Sequence, residues 1–205
     1  MGREIVFDIE TQNTFADVGN DYRGLKVSVV VIYDYSTGEF KSFKEDQLSE
    51  LWPVLERAER LIGFNSLHFD VPVLQNYYSG DLLRIPHLDM MVSVKNALGH
   101  RLKLNDIAGA TLNEKKSADG LQAIEWWKQG KMDEIIKYCI DDVKITRDIY
   151  EFGLKNRQLF YPRVDGSIAP FPVDFSVQEE KQKKIAAGIN LSLPLPDLND
   201  RFDTL

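Results

Sequence analysis

The chain has a single cysteine, Cys139, in 205 residues. That excludes an intrachain disulfide and any zinc site assembled from several thiolates. Its three histidines, His68, His87 and His100, have no metal-ligand spacing. No Gly-rich phosphate loop of the Walker type occurs, and no partner base for Cys139 is visible, so NTPase and thiol-hydrolase chemistry find no support. No apolar run approaches the roughly 20 residues of a membrane span. The opening MGREIVF lacks the basic, apolar and small-residue regions of a secretion signal, so the expectation is a cytoplasmic protein with no membrane attachment. Positive charge is scarce too: 25 Lys and Arg face 32 Asp and Glu, for a net charge of −7. Broad electrostatic adhesion to nucleic acid is thereby disfavoured. An enzyme whose acid cluster is offset by bound divalent cations is not.

What is present suits an ordinary globular domain: 43% hydrophobic and 28% charged residues, with length for one sizeable core and an appendage. Residues 3–9 and KVSVVVIYDY, 26–35, read as strands rich in β-branched residues. Thr37-Gly38 marks a turn into EFKSF as a third strand. QLSELWPVLERA, 47–58, has helical spacing, with Pro53 expected near its first turn or at a kink. RLIGFNS, 60–66, reads as a short buried strand, DVPVLQNYY, 70–78, as a helix opened by Pro72, and IPHLDMM as a fifth strand. Helical segments follow around 90–98, 104–109 and 119–128. The longest helix is expected over 131–153, with Met132, Ile136, Ile140 and Val143 as its apolar stripe and Gly153 as its stop. These elements imply an α/β fold with a mixed five-stranded sheet flanked by helices. Prolines 162, 170, 172, 194 and 196 divide the rest of the chain. The expectation for 155–205 is an irregular extension packed on the same domain, with one short helix near 176–187.

Three segments carry chemistry. In EIVFDIETQN, Asp8 and Glu10 are two apart on a strand, so their carboxylates lie side by side on one face. Such a pair is costly to bury unless a cation or proton lies between the charges; alone, it reads first as the polar end of a strand with both acids in solvent. In LIGFNSLHFDVPVL, Asp70 stands where a loop becomes a helix, which suits a cap as well as a ligand. Tyr138 and Asp142, four apart in the long helix, share a face.

Together these segments resemble the DEDD superfamily of 3′-5′ exonucleases, which have a ribonuclease H-like fold. FDIET matches the first motif, GFNSLHFD the second and YCIDD the third. The third has the Y-x-x-x-D spacing of the tyrosine subclass, which includes proofreading domains of family B DNA polymerases; the histidine subclass would need His where Lys137 stands. The resemblance spans residues 3–153 and identifies 1–154 as the exonuclease domain.

The resemblance implies hydrolysis of phosphodiester bonds from the 3′ end of single-stranded DNA by two Mg²⁺ or Mn²⁺ ions, releasing nucleoside monophosphates. Asp8, Glu10, Asp70 and Asp142 would be the metal ligands, and Tyr138 would orient the attacking water. A phenol with an ordinary pKa near 10 suits positioning better than general-base work. Thr11, Phe64 and Asn65 are candidates for holding the 3′-terminal nucleotide, although Phe64 fits a core position equally well. Asp89 reads as a turn residue rather than as a support behind the metal ligands, the other reading its position allows; Cys139 reads as a small core residue, and the basic stretch from Lys95 to Lys116 as a phosphate track or a solvated face. An RNA-processing or structure-specific nuclease, or a non-catalytic nucleic-acid-binding subunit, would use the same fold. In a proofreading or repair role, the polymerase or repair protein would be a separate partner chain.

Overall fold

Strand β1 (Glu4–Thr11) is buried on both faces. Ile5, Phe7 and Ile9 enter one core and Val6 another, as the two-residue period of a strand requires. The computed structural model describes residues 3–114 and 120–176, within which β1 is the middle of five strands. The others are β2 (Val27–Asp34), β3 (Glu39–Lys44), β4 (Arg60–Gly63) and β5 (His87–Asp89), in the spatial order β3-β2-β1-β4-β5. The first three form an antiparallel meander, and β4 and β5 extend β1 in parallel. The sheet is therefore mixed and five-stranded, as the sequence implies.

The face carrying Ile5, Phe7 and Ile9 packs on α1 (Leu48–Leu55) and α2 (Asp70–Leu74) through Leu48, Leu51, Leu55, Val71 and Leu74. The opposite face, with Val6, Val29, Val31 and Ile62, meets residues of α3 (Met90–Leu98), α4 (Leu104–Leu112), α5 (Gly120–Lys128) and α6 (Met132–Asn156). Between Glu10 and Thr11 the pairing on β2 jumps from Val29 to Val27, leaving Ser28 as an extra residue. This bulge lets Val27 and Val30 enter the same core despite their odd spacing.

Several expected boundaries move. Pro53 lies inside α1, which ends two residues later, and α2 stops at Leu74. The α6 stripe is rotated from the expected one: Ile135, Tyr138, Cys139, Asp142, Val143, Thr146, Ile149 and Tyr150 are buried, while Met132, Ile136 and Ile140 are only partly so. Gly153 does not end α6, which runs to Asn156 with Arg157 in the left-handed conformation beyond it. Instead, a β-carbon at Gly153 would collide with the ring of Phe175.

Residues 158–172, expected to be irregular, form a hairpin of β6 (Gln158–Pro162) and β7 (Ile168–Pro172). Pro170 and Pro172 occupy its exposed positions, where a two-stranded edge tolerates a missing N–H, while Ala169 and Phe171 face inward. The Thr111 hydroxyl of α4 accepts from Phe160 N at 3.0 Å and donates to Phe160 O at 3.2 Å. Leu159, Phe171, Val173 and Phe175 complete the α6 core, so this compact unit extends to Phe175 rather than to residue 154. The short helix expected at 176–187 lies outside the described residues. At the start of β1 a buried cluster ties the segment down. Arg60 donates to Glu4 Oε1 (2.9 Å from Nε), to the Tyr150 hydroxyl (2.7 Å) and to the Phe175 carbonyl (3.0 Å); the Tyr150 hydroxyl donates to Glu4 Oε2 at 2.8 Å. No helix among the described residues is long and apolar enough to cross a membrane.

Candidate active site

Asp8 and Glu10 share the face of Val6, so both carboxylates project toward α6. Asp142, at the centre of the buried stripe of α6, meets them: one carboxylate oxygen from each of Asp8, Glu10 and Asp142 lies within 4.8 Å of the others. Glu10 and Asp142 are buried and Asp8 is partly exposed, leaving the cluster one open side. Three carboxylates this close, largely out of water, call for a cation or a proton between them. An all-oxygen set of carboxylates suits a hard divalent ion such as Mg²⁺ or Mn²⁺, so these residues fit the metal that the sequence motifs imply.

Asp70 reaches the same place from β4. The strand ends at Gly63, where a β-carbon would lie 2.5 Å from Ser66, and the chain turns sharply through Asn65 at φ +65°. Asp70 then opens α2 as a buried residue. Burial, and next the charge of Asp8, push its carboxyl well above the usual carboxylate range, opposed by backbone N–H groups of Asp70 itself and Ile9. Tyr138, one turn before Asp142, is buried with its ring edge-on to Trp126 at 6.0 Å between centroids.

The candidate nucleotide-holding residues are placed differently. Thr11 is buried and its hydroxyl donates to Asn13 O at 2.9 Å, so its proton is committed to the turn after β1. Phe64 is half-buried against the α6 core. The side-chain oxygen of Asn65 accepts from Arg101 Nη2 at 2.6 Å. Asp8, Glu10 and Asp142 thus meet, Asp70 lies near enough to feel the charge of Asp8, and Tyr138 stands one helical turn before Asp142, while Thr11 and Phe64 have local structural partners.

Two residues beside the cluster do more than the sequence reading favoured. Asp89 is a buried organiser rather than a simple turn residue. Its Oδ1 accepts from Asn65 N (2.8 Å) and Met91 N (2.9 Å) and its Oδ2 from Leu67 N (3.0 Å), which caps α3 and pins the loop leading to Asp70. An Asp directly before an apolar helical run is the signal that could have found it. Cys139 is buried as expected, but its Sγ also reaches Asp8, at 3.5 Å from the carbonyl and 3.6 Å from Oδ2. Its position three residues before Asp142 on one helix face was the available hint.

The sequence profile of the RNase_H superfamily matches residues 5–152. The chain belongs to that superfamily. Among solved structures, the family B DNA polymerase of the hyperthermophilic archaeon Pyrobaculum calidifontis is similar, with a TM-score of 0.57 at 18% identity. The similarity covers 75% of this chain and 25% of that one, so the superfamily member here spans about a quarter of the polymerase's length. No curated protein matches the chain.

Proposed function

We propose that this chain is a metal-dependent 3′-5′ exonuclease of the tyrosine subclass, removing nucleoside monophosphates from the 3′ end of single-stranded DNA. The observation that carries the reading is the meeting of Asp8, Glu10 and Asp142 within 4.8 Å beside buried Asp70 and Tyr138. The four acids come from three separate segments, an expensive arrangement for stability alone. Two divalent ions held among them would activate water and stabilise charge on the attacking and leaving oxygens. Within that scheme Asp8, Glu10 and Asp142 would hold one cation, and Asp70, near Asp8, would complete the ligand set. Tyr138 directs its hydroxyl to the attacking water while its ring stays packed on Trp126. DNA as substrate is favoured by the similarity to part of a DNA polymerase.

The test uses 5′-labelled single-stranded DNA and RNA with Mg²⁺ or Mn²⁺, comparing wild type with Asp8→Ala. The expected result is a ladder shortened stepwise from the 3′ end of DNA and abolished by the substitution. Absence of metal-dependent cleavage of either polymer overturns the reading, and cleavage of RNA alone replaces the substrate.

A further inference from the structure

Arg101 follows α3, whose C-terminal cap is Gly99, and leans on the loop that delivers Asp70. Its partner there is neutral: Nη2 donates to the side-chain oxygen of Asn65 at 2.6 Å, and Arg101 makes no ion pair with a described carboxylate. An amide oxygen orients a guanidinium without cancelling its charge, and one such bond leaves most of the five donors for another acceptor. Asp89, the acid whose carboxyl feels Arg101, has its oxygens occupied by three backbone N–H groups. Because the same Asp89 fixes the backbone of Asn65, the guanidinium is held by a chain of contacts starting in a buried carboxylate.

The surroundings suit a nucleotide. Tyr22 lies close enough to feel the charge of Arg101. It belongs to an aromatic group in which Phe15 and Tyr22 meet edge-on at 4.8 Å, Phe15 and Phe69 at 5.7 Å, and Tyr22 and His68 at 6.3 Å. Phe69 directly precedes Asp70. A fixed cation beside an aromatic wall, adjoining the carboxylates, is the pairing by which proteins hold single-stranded nucleic acid: charge on a phosphate, rings on a base.

We infer that Arg101, oriented by Asn65, grips the phosphodiester on the 5′ side of the bond being cut. This rests on the exonuclease reading. It follows from a division of charge: the scissile phosphate needs the cations held by Asp8, Glu10 and Asp142, whereas its neighbour, beyond the Asn65 loop, needs a cation supplied by the chain. A planar guanidinium matches two phosphate oxygens at once, which a lysine cannot do.

The test is a thermodynamic cycle on binding, read by fluorescence anisotropy in EDTA with a 5′-labelled oligonucleotide. Wild type, Arg101→Gln and Arg101→Lys are each titrated with an all-phosphate strand and with strands carrying one neutral methylphosphonate at the second or the fourth linkage from the 3′ end. Arg101→Gln is expected to weaken binding about ten-fold and to lower the salt-dependence slope by about one. The neutral second linkage should weaken wild type by a similar factor and Arg101→Gln no further, while the fourth-linkage effect adds to that of the substitution. Arg101→Lys should recover part of the affinity, and with Mg²⁺ the loss should appear in KM more than in kcat. Additive effects of Arg101→Gln and the second linkage overturn the inference while leaving the exonuclease reading intact if wild type still cleaves. Wild type that neither binds nor cleaves overturns both.

Discussion

The Cys139 thiol of α6 rests against Asp8 of β1, 3.6 Å from Oδ2, so the helix that carries Asp142 is seated directly on the strand that carries the other two acids. Burial, and then the charges of Asp8, Glu10 and Asp142, hold that thiol well above its usual pKa. Thiolate is the reactive form. The native protein without metal should therefore resist alkylation by iodoacetamide at pH 8, and react stoichiometrically once unfolded in guanidinium. Fast native labelling would mean that α6 does not sit on β1 in this way.

Tyr138→Phe removes a hydroxyl and keeps the ring that packs on Trp126. Stability should change little, as followed by thermal melting. Turnover should fall by roughly 10²-fold, the lower end for losing a positioned acid–base or water-orienting group, with KM nearly constant. An unchanged kcat would remove Tyr138 from the chemistry.

Asp70 gives a pH dependence whose sign follows from its raised pKa. A carboxyl with a higher pKa folded than unfolded stabilises the fold only while protonated. The penalty begins as pH rises above about 3.9, the unfolded value, and is complete once the folded carboxyl ionises. In EDTA, Asp70→Asn should thus gain stability over wild type as pH is raised from 4 to 7, measured as the difference in melting temperature. Mg²⁺ should narrow the gap by stabilising the wild-type carboxylate. A difference that stays flat with pH would show that Asp70 is not strained by its neighbours.

Arg60→Met leaves Glu4 charged and buried beside Tyr150, both side chains of the original pair being at most 10% exposed. Removing one member of such a pair costs about 3–5 kcal/mol. Urea unfolding should report a loss of that order, while Tyr150→Phe, which deletes one hydroxyl from the cluster, should cost about 1–3 kcal/mol. Equal and small losses in both variants would place the cluster in solvent.

The sheet and the acid set were largely legible because they rest on short-range rules. Alternation along EIVFDIET places Asp8 and Glu10 on one face, and helical spacing places Tyr138 over Asp142. The rotated stripe of α6 shows where that reading failed. The expected stripe centred on Met132, Ile136 and Ile140 with Tyr138 and Asp142 on its flank, yet Tyr138, Asp142 and Thr146 lie at the centre of the buried side, because the helix turns its acid-bearing side inward to meet β1. Gly153 misled for a related reason: its lack of a β-carbon serves the close approach of Phe175, a contact 22 residues away that no local rule reveals. The prolines of 158–172 hid a hairpin because their exposed placement depends on which face of the hairpin meets the helices, α4 and α6 through β6 and α3 through β7. Asp89 was undervalued because its three N–H donors come partly from a loop 22 to 24 residues earlier.

The Arg60 cluster also bears on how the molecule is made. Its members lie at residues 4, 60, 150 and 175, and the last acceptor is the backbone carbonyl of Phe175. A nascent chain that has emerged only as far as α6 holds every acid of the site but lacks Leu159, Phe171 and Phe175, the side chains that close the core over Tyr150 and Gly153. The acid cluster is thus translated before the plug that stabilises it. A fragment ending at residue 154 would carry the full set of motifs and still expose an open core, whereas one ending at 176 retains the closure.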